Sequence, residues 1–417
     1  QRLYREDEAL LLFDEASKGD APVMEAARHF ERIHAGRGAW DKAVEGVLRQ
    51  ARAAEGPERV RLLLSAAETR LETLHDREGA SAIYAQVLEQ DPVNASALEF
   101  SGDHLFSSGD LAGAVEVFAR MEPAQGERDL DDFDEQIEVG LYYFSYAEAL
   151  RKLDRIEEAL GRYEKGLELN RAHLPSLEAV GPLYLQQERW EEARNVYRQI
   201  LQLTGGQGDP LRLARTYTSL GHVELKLNNL DKAKKRFNKA LELRSNDIPA
   251  LQGIAGVLLV RKDWNNLLNV YNNIIYHAQE PGEVVDAYLT KGFVLDARMG
   301  LPDKAAQHYR KSLNFDPNQP KALLRLAELS LRQQDWPEAN NLAEQGISLS
   351  FEDPTIRGGL HLVQYVAHAQ AGNSPTAAAA YSRALELDPT LNDRLGPVAP
   401  GADTGHSVLK ERLDAEL

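Results

Sequence analysis

The sequence has no cysteine. Disulfides, thiolate zinc sites, thiol nucleophiles and Cys-linked lipid anchors are therefore all excluded. The compartment stays open, since a cysteine-free chain suits cytosol and periplasm alike. No apolar run approaches the roughly 18 residues that a membrane helix needs, and residues 254–260 are among the longest. A leader of basic, apolar and small-residue regions is also missing. The chain opens on Gln1 rather than Met, so it is expected to be a fragment of a longer protein or a processed one. Cations are in deficit: 48 Lys and Arg face 65 Asp and Glu, for a net charge of −17. That balance argues against nucleic acid, whose binding is dominated by cationic contacts to phosphate. The deficit is uneven, with −15 over residues 71–150 against +6 over residues 211–270.

What the chain does contain is helical periodicity. Apolar residues recur at i, i+3, i+4 and i+7 between Gly and Pro punctuation, with no convincing strand-like alternation. A repeat dominates. A small residue is followed four places later by a ring in Ala80–Tyr84, Ala114–Phe118, Ala159–Tyr163, Ala193–Tyr197, Ala233–Phe237, Ala305–Tyr309 and Ala377–Tyr381. Leu267–Tyr271 and Ala339–Ala343 are degenerate copies. Four successive anchor pairs (80 to 114, 159 to 193, 233 to 267, 305 to 339) lie 34 residues apart. Twelve residues before most anchors stands a second small residue: Gly102, Ala147, Gly181, Gly221, Ala255 and Ala327. Gly292 fits the same role with one extra residue, expected in the loop. Asp91-Pro92, Asp316-Pro317 and Asp388-Pro389 mark helix ends, because Pro cannot continue a helix and restricts the residue before it.

Small residues let helix backbones approach, and the ring fills the gap between hairpins. No hairpin buries its apolar face alone, so neighbours must stack into one continuous core. Leu88, Leu167, Leu201, Leu241, Leu313 and Leu385 extend that seam. The pattern resembles the tetratricopeptide repeat (TPR) family over residues 61–390. The resemblance implies an all-α fold, an α-solenoid forming a right-handed superhelix of about nine to ten hairpins, its concave side lined by first helices. Residues 1–60 are expected to be a degenerate TPR-like cap, with a weaker unit around Trp40 and Ala43. Residues 391–417 are expected to be a Pro/Gly linker and a short helix keyed by Leu409, Leu413 and Leu417.

Chemistry is sparse. The eleven histidines form no His-Glu-x-x-His arrangement, and His361 with His368 read as a solvated or packed pair. The loop at 205–210 lacks the Gly-Lys-Ser/Thr ending of a phosphate loop. Residues 122–140 lengthen one connection and carry a dense run of acids. Within it, Asp129, Asp131, Asp132 and Asp134 superficially match a calcium loop. Phe133 holds a ligand position and no Gly follows, so a plain acidic loop is the reading. Glu157, Glu158, Glu191 and Glu192 open second helices, where they meet the helix dipole favourably. No nucleophile–base–orienter set emerges. No metal, cofactor or enzymatic activity is expected.

What remains is surface. On a TPR scaffold the groove would be lined by Glu99, Phe100, Asp103 and Phe106, then by Phe144, Glu148 and Arg151. Glu178, then Thr218, His222 and Lys226, and finally Leu324, Arg325 and Glu328 would follow. Rings among acids would seat apolar side chains and orient basic ones. Alternatively, the rings merely thicken the core between first helices. The Lys/Asn clamp with which chaperone-binding relatives grip a C-terminal carboxylate is absent from the matching places. Lys232, Lys234, Lys235, Arg236, Lys239 and Arg244 form a basic stripe, read either as a solvated face or as a docking patch for an acidic partner. Self-association of this stripe with the acidic 71–150 region is open. The neighbouring Asn265, Asn266, Asn269, Asn272 and Asn273 face outward and are mediocre helix formers. The expectation is a protein-binding adaptor or scaffold that takes a partner with a basic segment, without nucleic acid or a transmembrane segment. The alternative is the regulatory or targeting arm of a multidomain enzyme.

Overall fold

The computed structural model describes residues 2–18, 23–126, 132–205 and 208–391, and all regular structure among them is helical. The chain divides after Glu188 into two compact units. Unit 1 contains α1 (Arg2–Ala16), α2 (Met24–Gly36), α3 (Trp40–Ala53), α4 (Gly56–Glu72), α5 (Arg77–Gln90), α6 (Ala95–Ser108), α7 (Leu111–Gly126), α8 (Phe133–Lys152), α9 (Ile156–Leu169) and α10 (Leu174–Gln186). Unit 2 contains α11 (Trp190–Thr204), α12 (Pro210–Lys226), α13 (Leu230–Leu243), α14 (Ile248–Val260), α15 (Trp264–His277), α16 (Pro281–Phe293), α17 (Pro302–Phe315), α18 (Pro320–Arg332), α19 (Trp336–Ser348), α20 (Pro354–Gln370) and α21 (Ser374–Leu387). Within each unit, consecutive helices pair into hairpins such as α4–α5, α8–α9, α12–α13 and α20–α21. Each unit is thus an all-α stack of the α-solenoid kind.

Helix starts are written in short polar residues. Asp76, Asn94, Asp247 and Asp335 accept hydrogen bonds from backbone N–H groups three residues on, worth about 1 kcal/mol each. Asp91, Asp316 and Asp388 cap the ends of α5, α17 and α21, as their following prolines require.

The turn inside each hairpin has one constant feature. The residue five places before the anchor has a left-handed backbone: Gly38, His75, Gly109, Asp154, Glu188, Asn228, Lys262, Gly300, Gln334 and Gly372. This mark recurs at the spacing of the anchors themselves, and at Gly38 it extends the register back to Ala43.

Rings then lock the hairpins. A Cβ on Gly102 would stand 2.7 Å from the Phe118 ring, one on Gly221 2.6 Å from Phe237, and one on Gly292 2.5 Å from Tyr309. Each ring therefore lies on the bare backbone of its own first helix. Phe237 also covers Gly253 on the next one, bridging two hairpins. Tyr163, Phe237 and Tyr309 are almost fully buried, as are their anchors Ala159, Ala233 and Ala305.

Two expectations about insertions need correction. The extra residue between Gly292 and Ala305 is not in the loop. It is absorbed in a π-helical segment, Val294–Arg298, where Met299 N–H donates to the Val294 carbonyl at 3.1 Å. Residues 122–140 are not mainly a longer connection either, because α7 reaches Gly126 and the twenty-residue α8 starts at Phe133. Helical propensity and a cap at Asp132 extend the flanking helices. Glu127, Asp129 and Asp131, Gly206 and Gln207, and the linker and leucines of 392–417 lie outside the described residues.

Candidate partner-binding groove

In unit 1 the first helices α4 and α6 carry two carboxylates each at i, i+4 spacing: Glu68 and Glu72, and Glu99 and Asp103. All four are exposed. Between them lies Tyr84 of α5, whose hydroxyl is pushed up first by burial and then by the charges of Glu68, Glu72 and Glu99. Phe100 stacks on Tyr84 with centroids 4.5 Å apart and on His104 at 5.8 Å, while Arg77 stands 5.6 Å above its ring. Asp103 remains exposed, yet partial desolvation by its neighbours raises it above the usual carboxylate range, and Arg77 only partly opposes this. Phe106 is half-buried with Lys152 Nζ 4.5 Å over its ring.

On α8 the charges are already engaged. Glu148 accepts from Arg151 at 2.8 Å and from the hydroxyl of Tyr163. Burial pushes Glu148 up, but these two donors outweigh it and leave the carboxyl below its ordinary value. Phe144 packs 6.1 Å from Tyr163 and edge-on to His173 at 4.9 Å, so this ring also touches the core. Glu178 is half-buried on α10. Glu122, one of the acids of the insertion, pairs with Arg162 at 2.9 Å and Lys165 at 2.8 Å on α9.

Unit 2 presents a different surface. His222 is half-buried edge-on to Phe237 at 5.0 Å, and burial lowers its pKa. Thr218 is buried and donates to Asp247 at 2.9 Å. Arg325 and Glu328 are buried and joined at 2.6 Å. Beside them a cavity of about 240 Å³ is lined by Asp286, Leu289, Thr290, Phe293, Tyr309, Lys321 and Arg325. On α13, Lys232, Lys235 and Lys239 are exposed while Lys234 and Arg236 are half-buried; Lys239 is raised by its bond to Glu242. The structure thus gathers Glu99, Phe100 and Asp103 into one patch with Glu68, Glu72 and Tyr84, which the sequence reading missed. Counting from anchor Ala80 would have reached Glu72. The cue was hidden because Glu68 stands where other first helices carry Gly or Ala.

Among the described residues no His, Asp and Glu grouping could hold a metal ion, and no helix is long and apolar enough to cross a membrane. Hairpin stacks with charged and aromatic first-helix surfaces define a class of interaction scaffolds. Models of the tetratricopeptide repeat match residues 69–128 and 175–246. The chain thus carries tetratricopeptide repeats in these two segments. Among solved structures it is similar to YrrB, a TPR protein with an unusual peptide-binding site, at 23% identity over 47% of this chain and 97% of that one (TM-score 0.37). It is also similar to PilF of Pseudomonas aeruginosa, at 19% over 60% and 99% (TM-score 0.41). Yeast Tom70 is similar at 15% over 99% and 93% (TM-score 0.37). Such likeness is of fold, and fold alone does not carry role.

Proposed function

We propose that the chain is an adaptor or scaffold whose unit 1 takes up a basic segment of a partner protein. One observation carries this reading. Glu68, Glu72, Glu99 and Asp103 line adjacent first helices over Tyr84 and Phe100, and none of the four makes an ion pair among the described residues. Exposed carboxylates on neighbouring first helices, only one of them facing a nearby cation in Arg77, attract a cationic ligand. The rings supply apolar contact and cation–π attraction for Lys or Arg stems. Glu148, held by Arg151 and Tyr163, acts as a structural neighbour in this scheme. Attraction of this kind speeds encounter and is screened by salt.

The test is titration of a Lys/Arg-rich peptide against the chain and its Glu99→Lys/Asp103→Lys variant. Wild-type affinity should fall with salt, and the variant should lose about tenfold or more at low ionic strength. Equal binding by both proteins, or affinity indifferent to salt, would overturn the reading.

A further inference from the structure

A second cluster, within unit 2, gathers cationic and donor groups without a carboxylate among them. Lys291 of α16 is nine-tenths buried, and its ammonium donates to the Oδ1 of Asn272 on α15. Beside it on α17 stand His308 and Lys311. Tyr288 of α16 stacks on His308 at 5.9 Å and on Phe315 at 5.9 Å, with Lys311 Nζ 5.8 Å over its ring. The Nδ1 of His308 is buried with no hydrogen-bond partner. Among the described residues neither lysine makes an ion pair, and the charges acting on His308 and Lys291 are all positive. Buried ammonium groups are ordinarily matched by a carboxylate, since an unmatched one is costly. Among the described residues that match is missing here, and Lys311, Asn272 and Phe315 beside it are exposed.

We propose that this cluster is a phosphate-binding site, with Lys291 at its base, Lys311 and the Asn272 amide at its rim, and His308 Nδ1–H as a further donor. Two ammonium groups balance the roughly −1.5 to −2 charge of a phosphate monoester at neutral pH, and its oxygens can use every donor present. A carboxylate would leave donors idle. The surroundings agree: burial, then Lys291 and Lys311, push His308 down to about 4, a penalty that a bound anion reverses. The site also gives Asn272 a role in the otherwise unexplained asparagine face. Phosphate could arrive free in solution or on a phosphorylated side chain.

The experiment is calorimetric titration of the full chain with inorganic phosphate at constant ionic strength, alongside O-phosphoserine and acetate, with His308 followed by NMR. The expected result is saturable phosphate binding, weakened about tenfold or more in Lys311→Met and Lys291→Met, with the His308 pKa rising on binding. Phosphoserine binding tighter than inorganic phosphate assigns the site to a modified side chain, and the reverse order assigns it to free phosphate. No saturation by either ligand, binding unchanged in the variants, or acetate binding as well as phosphate would overturn the proposal. Lys311 is exposed, so Lys311→Met decides the matter even if Lys291→Met fails to fold.

Discussion

Residues 1–188 carry 21 basic and 38 acidic side chains, whereas residues 189–417 carry 27 of each. The entire net charge of −17 therefore belongs to unit 1, and unit 2 is balanced. Yet both units use the same left-handed turn residue and the same ring over a small first-helix residue. The comparison teaches that the positions fixing the hairpins constrain size and shape only. Charge is left to vary on exposed positions, where substitution costs little. A net-acidic unit and a balanced one can therefore be built from the same repeat.

The sharpest way to break the comparison is to remove a ring. Phe118→Ala in unit 1 and Phe237→Ala in unit 2 should each cost about 3–5 kcal/mol through the cavity left behind. Loss of hydrogen-exchange protection should concentrate in the hairpins neighbouring each ring, since solenoid stability is summed from nearest-neighbour interfaces. Uniform loss over both units in either variant would refute independent registers. Next in size is charge. Lys232→Glu/Lys235→Glu in unit 2 should leave basic-peptide affinity within about twofold, while the Glu99/Asp103 reversal costs about tenfold. Comparable losses from both would show that the total charge, not the unit 1 patch, governs binding.

Smaller effects come from the turns. Lys262→Gly and Asp154→Gly relieve side chains held at φ 57° and 60°. Each should stabilise by about 0.5–1 kcal/mol, and Gly300→Ala should destabilise by a similar amount, in denaturant titrations. The smallest effect separates an engaged acid from an idle one. Glu148 is depressed below 4.5, so it stabilises above that value and this contribution is lost as pH falls through its folded pKa. Asp103 is raised above 3.8 by partial desolvation, so its charge costs stability at neutral pH. Glu148→Gln should lower the melting temperature at pH 7 and Asp103→Asn should raise it, both differences vanishing in acid. Shifts of one sign in both variants would contradict the contrast.

The Ala/Gly-to-ring spacing was legible because buried contacts tolerate few residue types: Gly221 and Gly292 cannot take a Cβ beneath their rings. The turn register was not legible. A left-handed exposed residue costs only about 1–2 kcal/mol, so His75, Glu188 and Gln334 serve where Gly was the visible cue. The candidate site was half legible. Glu99 and Asp103 could be counted from Gly102, but their partners Glu68 and Glu72 required knowing that α4 lies beside α6. Whether Phe100 points outward or inward could not be counted at all. Its stacking on Tyr84 depends on the neighbouring hairpin. Lys291 left no trace, because a buried lysine in a helical pattern looks like any solvated one.

The π-helical segment after α16 has a wider meaning. Its surplus residue widens the coil locally, and the buried Asp296 there is gripped by Arg332 of α18 at 2.8 Å. Gly300 still turns the chain five places before Ala305, so everything downstream keeps phase. A gene for such an array can accept a single added codon in mid-helix without shifting the turn and anchor of the hairpin that follows, which lets repeat length drift.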